Sequence, residues 1–294
     1  MKFSLWPRNN RPPAHVLAEV READANGWYG VWLADHYMPD TGDTTPARGD
    51  IYECWGLLPA MAVVSERVRL GTLVSPTSVH HPALLAKRAA TIDRLSGGRL
   101  VLGLGAGWQL NEHHAYGIEL EPPGQRVSRF SEAIAIVRSL LDEETTTFHG
   151  EFYDFTDAPC DPKPVQSPLP LLVGTKGPRM LRITARYANE WNTWSAPELA
   201  ERRQALAQAC DQTGRDPATV WTSVNALIDL DGSGPPFGRT LAGTAPQLID
   251  QLGQFAELGF DEFILPDWNL GSTEAECLDR AARIKAEVFD QLPS

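Results

Sequence analysis

The chain has 294 residues, 43% hydrophobic and 22% charged, with 38 Asp and Glu against 26 Lys and Arg for a net charge of −12. Such a composition describes a folded protein with a sizeable core, not a disordered or membrane-embedded chain. The acidic balance argues against nucleic acid as the partner, because phosphate backbones are met by basic surfaces.

Short apolar runs alternate with amphipathic segments along the whole chain. A strand at Phe3–Trp6 leads to a helix over Pro12–Asn26, and a strand at Gly30–Ala34 to a helix over Glu53–Ser65. Val68–Val74 and Pro82–Leu95 form the third strand and helix, Leu100–Leu104 and Val127–Glu143 the fourth. Helical spacing is clearest in that fourth helix, where Val127, Phe130, Ile134, Val137 and Leu141 recur on one face. Then come Leu169–Gly174 with Pro178–Ala188, and Glu190–Trp194 with Pro197–Thr213. Thr222–Asp229 with Ala245–Leu258 and Glu262–Pro266 with Thr273–Leu292 complete the series.

Eight strand–helix pairs predict an α/β fold of the (β/α)8 TIM-barrel type, one domain over residues 1–294, with a doubly wound open sheet as the rival. The strand runs are nearly all apolar, as parallel strands buried on both faces should be. Extra loops are expected after strands four and seven. Thr145–Pro168 carries Phe148, Phe152, Tyr153 and Phe155 around Gly150, which suggests a small hairpin, and Leu230–Arg239 is rich in Gly and Pro. The cysteines Cys54, Cys160, Cys210 and Cys277 lie far apart with no C-x-x-C pair, as in a reducing compartment. The opening MKFSLWPRNN lacks a signal-peptide apolar run, and no stretch approaches the roughly 18 apolar residues of a membrane span. A cytoplasmic protein is expected.

In a barrel the C-terminal strand ends carry the site. Asp35-His36 ends strand two and is the best acid–base candidate, since histidine titrates near neutral pH, with Asp35 placed either to orient it or to bind a ligand group. Gly174-Thr175-Lys176-Gly177 ends strand five and opens a helix at Pro178, which suits a phosphate cradle with free backbone N–H groups. Trp6, Trp108, Trp194 and Trp268 fall at strand ends, as walls of a pocket for a flat ligand would. Only His36 among the histidines ends a strand, so no metal is expected. The glycines Gly103, Gly105 and Gly107 have G-x-G-x-G spacing without a βαβ start, so they are no dinucleotide fingerprint and are expected to keep the mouth open.

Several stretches together resemble a known family: GVWLADHY at Gly30–Tyr37, RVRLGTLVSPTSVHHPALLAKRAATIDRLSGGRLVLGLGAGW at Arg67–Trp108, NEHHAYGI at Asn111–Ile118, LLVGTKGPRMLRITARYANEWNTW at Leu171–Trp194 and ELGFDEFIL at Glu257–Leu265. They are similar to the luciferase-like flavin-dependent oxidoreductases, and within them to the branch that uses the deazaflavin coenzyme F420. The resemblance implies a barrel with the cofactor across its C-terminal mouth and hydride transfer to or from a small organic substrate. It implies catalytic roles for His36 and Asp35 beside the ring, a hydrogen bond from Asn111, and phosphate contacts from Gly174, Thr175, Lys176 and Gly177. Thr72, Leu73, Val74, Gly105 and Thr193 complete the implied cofactor contacts, with a non-prolyl cis peptide within Thr72–Val74. Trp6, Asp40, Trp108, Trp194 and Trp268 would shape the substrate pocket. The family's sugar-phosphate dehydrogenases have a glutamate where this chain has Trp108 and a tryptophan where it has Asp40, which puts that substrate in doubt. An FMN-dependent monooxygenase using O₂ and a non-catalytic flavin-binding protein are the alternatives. The resemblance also implies a homodimer through helices two and three.

Overall fold

The computed structural model describes residues 1–232 and 239–292. Its centre is a closed ring of eight parallel strands: β1 (Lys2–Trp6), β2 (Gly30–Leu33), β3 (Arg69–Thr72), β4 (Leu100–Gly105), β5 (Leu171–Gly174), β6 (Glu190–Trp194), β7 (Trp221–Asn225) and β8 (Glu262–Pro266). Neighbours in sequence are neighbours in space. Lys2–Trp6 run in register with Glu262–Pro266, so the first strand closes the ring against the last. Every residue of β2, β4 and β8 is buried, as the apolar runs require.

Outside lie α1 (Pro13–Ala25), α2 (Cys54–Val64), α3 (Pro82–Ser96), α4 (Pro123–Asp142), α5 (Pro178–Tyr187), α6 (Leu199–Thr213), α7 (Ala245–Glu257) and α8 (Glu274–Glu287). The main core fills the layer between these helices and the ring. A second, small core of Trp6, Trp32, Leu73, Val101, Leu172 and Ile264 fills the barrel itself. Below it, at the N-terminal ends of the strands, Arg69 pairs with Glu190, and Glu262 accepts from Trp32 Nε1 at 2.9 Å and Trp221 Nε1 at 3.1 Å. Burial pushes the Glu190 carboxyl up to about 7 against the opposing pull of Arg69.

Some expectations change in detail. The third strand does not run through to Val74: β3 stops at Thr72, the Leu73–Val74 peptide is cis, and Ser75–Pro76 then pairs with Leu104–Gly105. Gly103 and Gly105, expected to keep the mouth open, instead make room for this turn, as Gly174 does, while Gly107, at φ +89°, makes room for Ser78. A Cβ on Gly103 would lie 1.9 Å from the Thr72 carbonyl oxygen, and one on Gly105 2.7 Å from Val74 Cγ2. The seventh run divides at Ala226: Leu227–Leu230 leaves the barrel to pair with Thr240–Gly243. Residues 233–238 of the Gly/Pro-rich loop lie outside the described residues. The aromatic segment forms the expected antiparallel hairpin, Thr145–His149 with Asp154–Pro159. Extra length also follows β2, where residues 34–53 are irregular, and the β4 loop carries an unexpected short helix, Leu110–Ala115.

Candidate active site

The site is built where β2, β4 and β5 end. Successive residues of an extended chain point to opposite sides, so Asp35 and His36 take different partners. His36, 24% exposed, turns to the β4 loop, where its Nδ1 lies 3.0 Å from Glu112 Oε1. An ionised carboxylate can only accept, so Nδ1 donates to it, and Nε2 has no protein partner among the described residues. Glu112 is buried on the short helix, and its Oε2 accepts from the Tyr37 backbone N–H at 2.9 Å. Trp108 stands edge-on to the His36 ring with centroids 5.3 Å apart.

Asp35 points the other way and is fully buried. Ser75 Oγ at 2.5 Å, His80 Nε2 at 2.8 Å and Trp55 Nε1 at 3.0 Å converge on its Oδ2. Burial alone would raise this carboxyl, but the donors from His80, Ser75 and Trp55 outweigh it and hold it below the ordinary value. Its Oδ1 is buried without a hydrogen-bond partner among the described residues. The idea that Asp35 orients His36 is therefore replaced: Glu112 does so, and Asp35 braces the turn after β3 from below.

Other expected contacts divide into free and committed groups. Thr72 Oγ1 donates to the Gly103 carbonyl at 2.7 Å and accepts from its N–H at 3.0 Å, stitching β3 to β4. Asn111 is fully buried, its Oδ1 accepting from Gln109 Nε2 and the Glu112 N–H while its Nδ2 donates to the Pro39 carbonyl. Asn111 is thus a strut between the β2 and β4 loops. Thr193 Oγ1 accepts from Arg202 at 3.1 Å. Asp40 is exposed and accepts from the Gly42 N–H in its own turn.

The β5 end is open. Gly177 caps α5 without any side-chain hydrogen bond, Pro178 follows, and Lys176 is exposed beside it. A Cβ on Gly177 would meet nothing, and its φ of −80° suits any residue, so the protein itself does not demand a glycine there. The N–H groups of the first turn of α5 lie beside this space without intrahelical partners, as at any helix start.

Trp6, Trp194 and Trp268 form one packed wall, with ring centroids 5.3 to 5.6 Å apart. Arg239 stacks 4.7 Å over Trp194. Trp108 is not part of this wall; it stands with His36 and is 57% exposed.

Residues 1–231 match the model of the luciferase-like monooxygenase family. The chain belongs to that family. A protein of Mycobacterium tuberculosis is 30% identical over 284 residues, spanning 91% of this chain and 93% of its own length. An F420-dependent glucose-6-phosphate dehydrogenase of Beutenbergia cavernae is 36% identical over 239 residues, spanning 79% of this chain and 68% of its own. In fold the chain is similar to an F420-dependent secondary alcohol dehydrogenase, with a TM-score of 0.83 and 18% identity over 98% of each chain.

Sequence reasoning missed Glu112, His80 and Trp55 as site residues. His36 and Glu112 are 76 positions apart, and only the meeting of two loops joins them. The sole local signal for Glu112 is its place beside Asn111 in NEHH.

Proposed function

We propose that this protein is an oxidoreductase that transfers a hydride between coenzyme F420 and a small organic substrate. The observation that carries the reading is His36, held through Nδ1 by buried Glu112 with Nε2 uncommitted, on a barrel mouth that also presents an uncapped helix at Gly177. The residues fit the coenzyme. Gly174–Gly177 and the first turn of α5 would hold its phosphate, with Lys176 adding charge. Asp35 Oδ1, buried and unpartnered, is an acceptor in reserve at the β2 end. When bound, F420 supplies or takes up the hydride.

The chain's own part is proton handling and positioning. His36 Nε2 takes or gives the proton that accompanies the hydride, and Glu112 stabilises the charged imidazolium while fixing the ring. Trp6, Trp194 and Trp268 exclude water and offer a flat apolar wall. That wall supports a neutral, largely apolar substrate rather than a sugar phosphate. Trp108, where the sugar-phosphate branch has a glutamate, supports the same reading.

The proposal includes one barrel domain acting as a cytoplasmic homodimer. Exposed Val63 on α2 and Leu84 and Leu95 on α3 support pairing through those helices, and light scattering on the purified chain checks it. No helix among the described residues is long and apolar enough to cross a membrane.

Titration with F420 and, separately, FMN tests the function. Saturable quenching of F420 fluorescence with weaker or no FMN binding is expected. Tight FMN binding with oxygen consumption, and no F420 quenching, would replace the proposal with a monooxygenase.

A further inference from the structure

Away from the mouth, the first and last helices meet over three buried side chains with no role in hydride transfer. His15 and Glu19 stand one turn apart on α1 and face Cys277 in the first turn of α8. Exposures are 6%, 1% and 1%. Their donor atoms all lie within 4.8 Å of one another. His15 Nε2 and Glu19 Oε1 approach to 2.8 Å, yet neither atom has an aligned hydrogen bond to any group. Buried polar atoms left this way cost about 1–3 kcal/mol each, more when charged.

The neighbouring cation, Arg11, faces Glu19 and Cys277 with its charge but makes no hydrogen bond to either among the described residues. Arg11 is committed to Asp267 Oδ2 at 2.6 Å and to the Gly271 carbonyl at 2.9 Å. Cys277 is a free thiol without a disulfide partner.

We propose that His15, Glu19 and Cys277 bind a zinc ion that ties α1 to α8. One imidazole nitrogen, one carboxylate oxygen and one thiolate form a donor set suited to this borderline-soft cation. Neutral imidazole with two anionic ligands offsets the ion's double charge, so the buried site is neutral overall. Zinc bonds of about 2.0–2.3 Å draw the three atoms closer than their widest present separation, and a water or the second Glu19 oxygen fills the fourth position. The tie joins the two ends of the chain behind the β1–β8 seam. Its ligands sit in the helical layer rather than at strand ends and are separated by most of the sequence, so no spacing motif announces them.

The test uses the full chain, expressed without a histidine tag in zinc-supplemented medium. Elemental analysis should find about one zinc per chain in the wild type and little in Cys277→Ser. Cobalt(II) added to the metal-free wild type should give a near-ultraviolet thiolate-to-cobalt band that saturates at one equivalent and is lost in Cys277→Ser and His15→Gln. Zinc should raise the thermal midpoint of the stripped wild type. Negligible zinc with no cobalt band, or equal metal in wild type and Cys277→Ser, would overturn the site. If the variants fail to fold, the wild type's zinc content and cobalt spectrum decide alone.

Discussion

The two ends of the barrel are built from the same residue types and put them to opposite uses. At the floor, Arg69, Glu190, Glu262, Trp32 and Trp221 hold one another, and the charges close the barrel. At the mouth, His36 is held through only one ring nitrogen, α5 begins uncapped, and Lys176 and Trp108 face solvent. Residue identity does not separate structure from function here. What separates them is how much bonding capacity is left over.

The comparison breaks most sharply at His36. His36→Ala should lower turnover by about 10²–10⁴-fold while F420 binding persists, since the loss is of proton transfer and not of the phosphate cradle. Undiminished turnover would make His36 a structural residue like those of the floor.

The floor should report itself through stability. Burial raises the Glu190 carboxyl to about 7, so between pH 4.5 and 7 the native state retains a proton that the unfolded chain has released. Stability from this group is therefore greatest at low pH and is lost as pH rises, by about 3 kcal/mol across the interval. Denaturant midpoints measured across this range should decline, and the decline should be shallower in Glu190→Gln. An equal slope in that variant would mean Glu190 is ionised in the folded state at every pH tested.

Glu112 sharpens the contrast because it is a fully committed residue that serves the mouth. As a positioning residue, Glu112→Gln should cost about 10²-fold in turnover and shift the pH–rate profile, with KM for substrate little changed. A loss of stability with an unmoved profile would assign Glu112 to the scaffold. The smallest effect belongs to Lys176→Ala, for which F420 affinity should fall about two- to fivefold, more at low salt than at high. Affinity indifferent to both mutation and salt would move the phosphate elsewhere.

Much of this architecture is written locally. Apolar runs of strand length, helical spacing and the Gly-Pro opening of α5 each depend on neighbouring residues, and the eight strand–helix pairs of the barrel were legible. The breaks at Leu73–Val74 and Ala226 were not, because apolar sequence continues through both and only tertiary contacts interrupt the strand. Val74 settles against the backbones of Gly103, Gly105 and Gly174, which belong to two other strands. The site was half legible: Asp35 and His36 were found together, but adjacency in sequence suggested a partnership that extended backbone prevents. Their real partners, His80 and Glu112, depend on loop meetings that no periodicity encodes.

Glu112 grips two successive residues at once, the His36 ring through one oxygen and the Tyr37 backbone through the other. The long β2 loop is thereby latched to the β4 loop through one carboxylate. Displacing either loop would break both bonds together, so the setting of the His36 ring and the seating of the β2 loop depend on the same side chain.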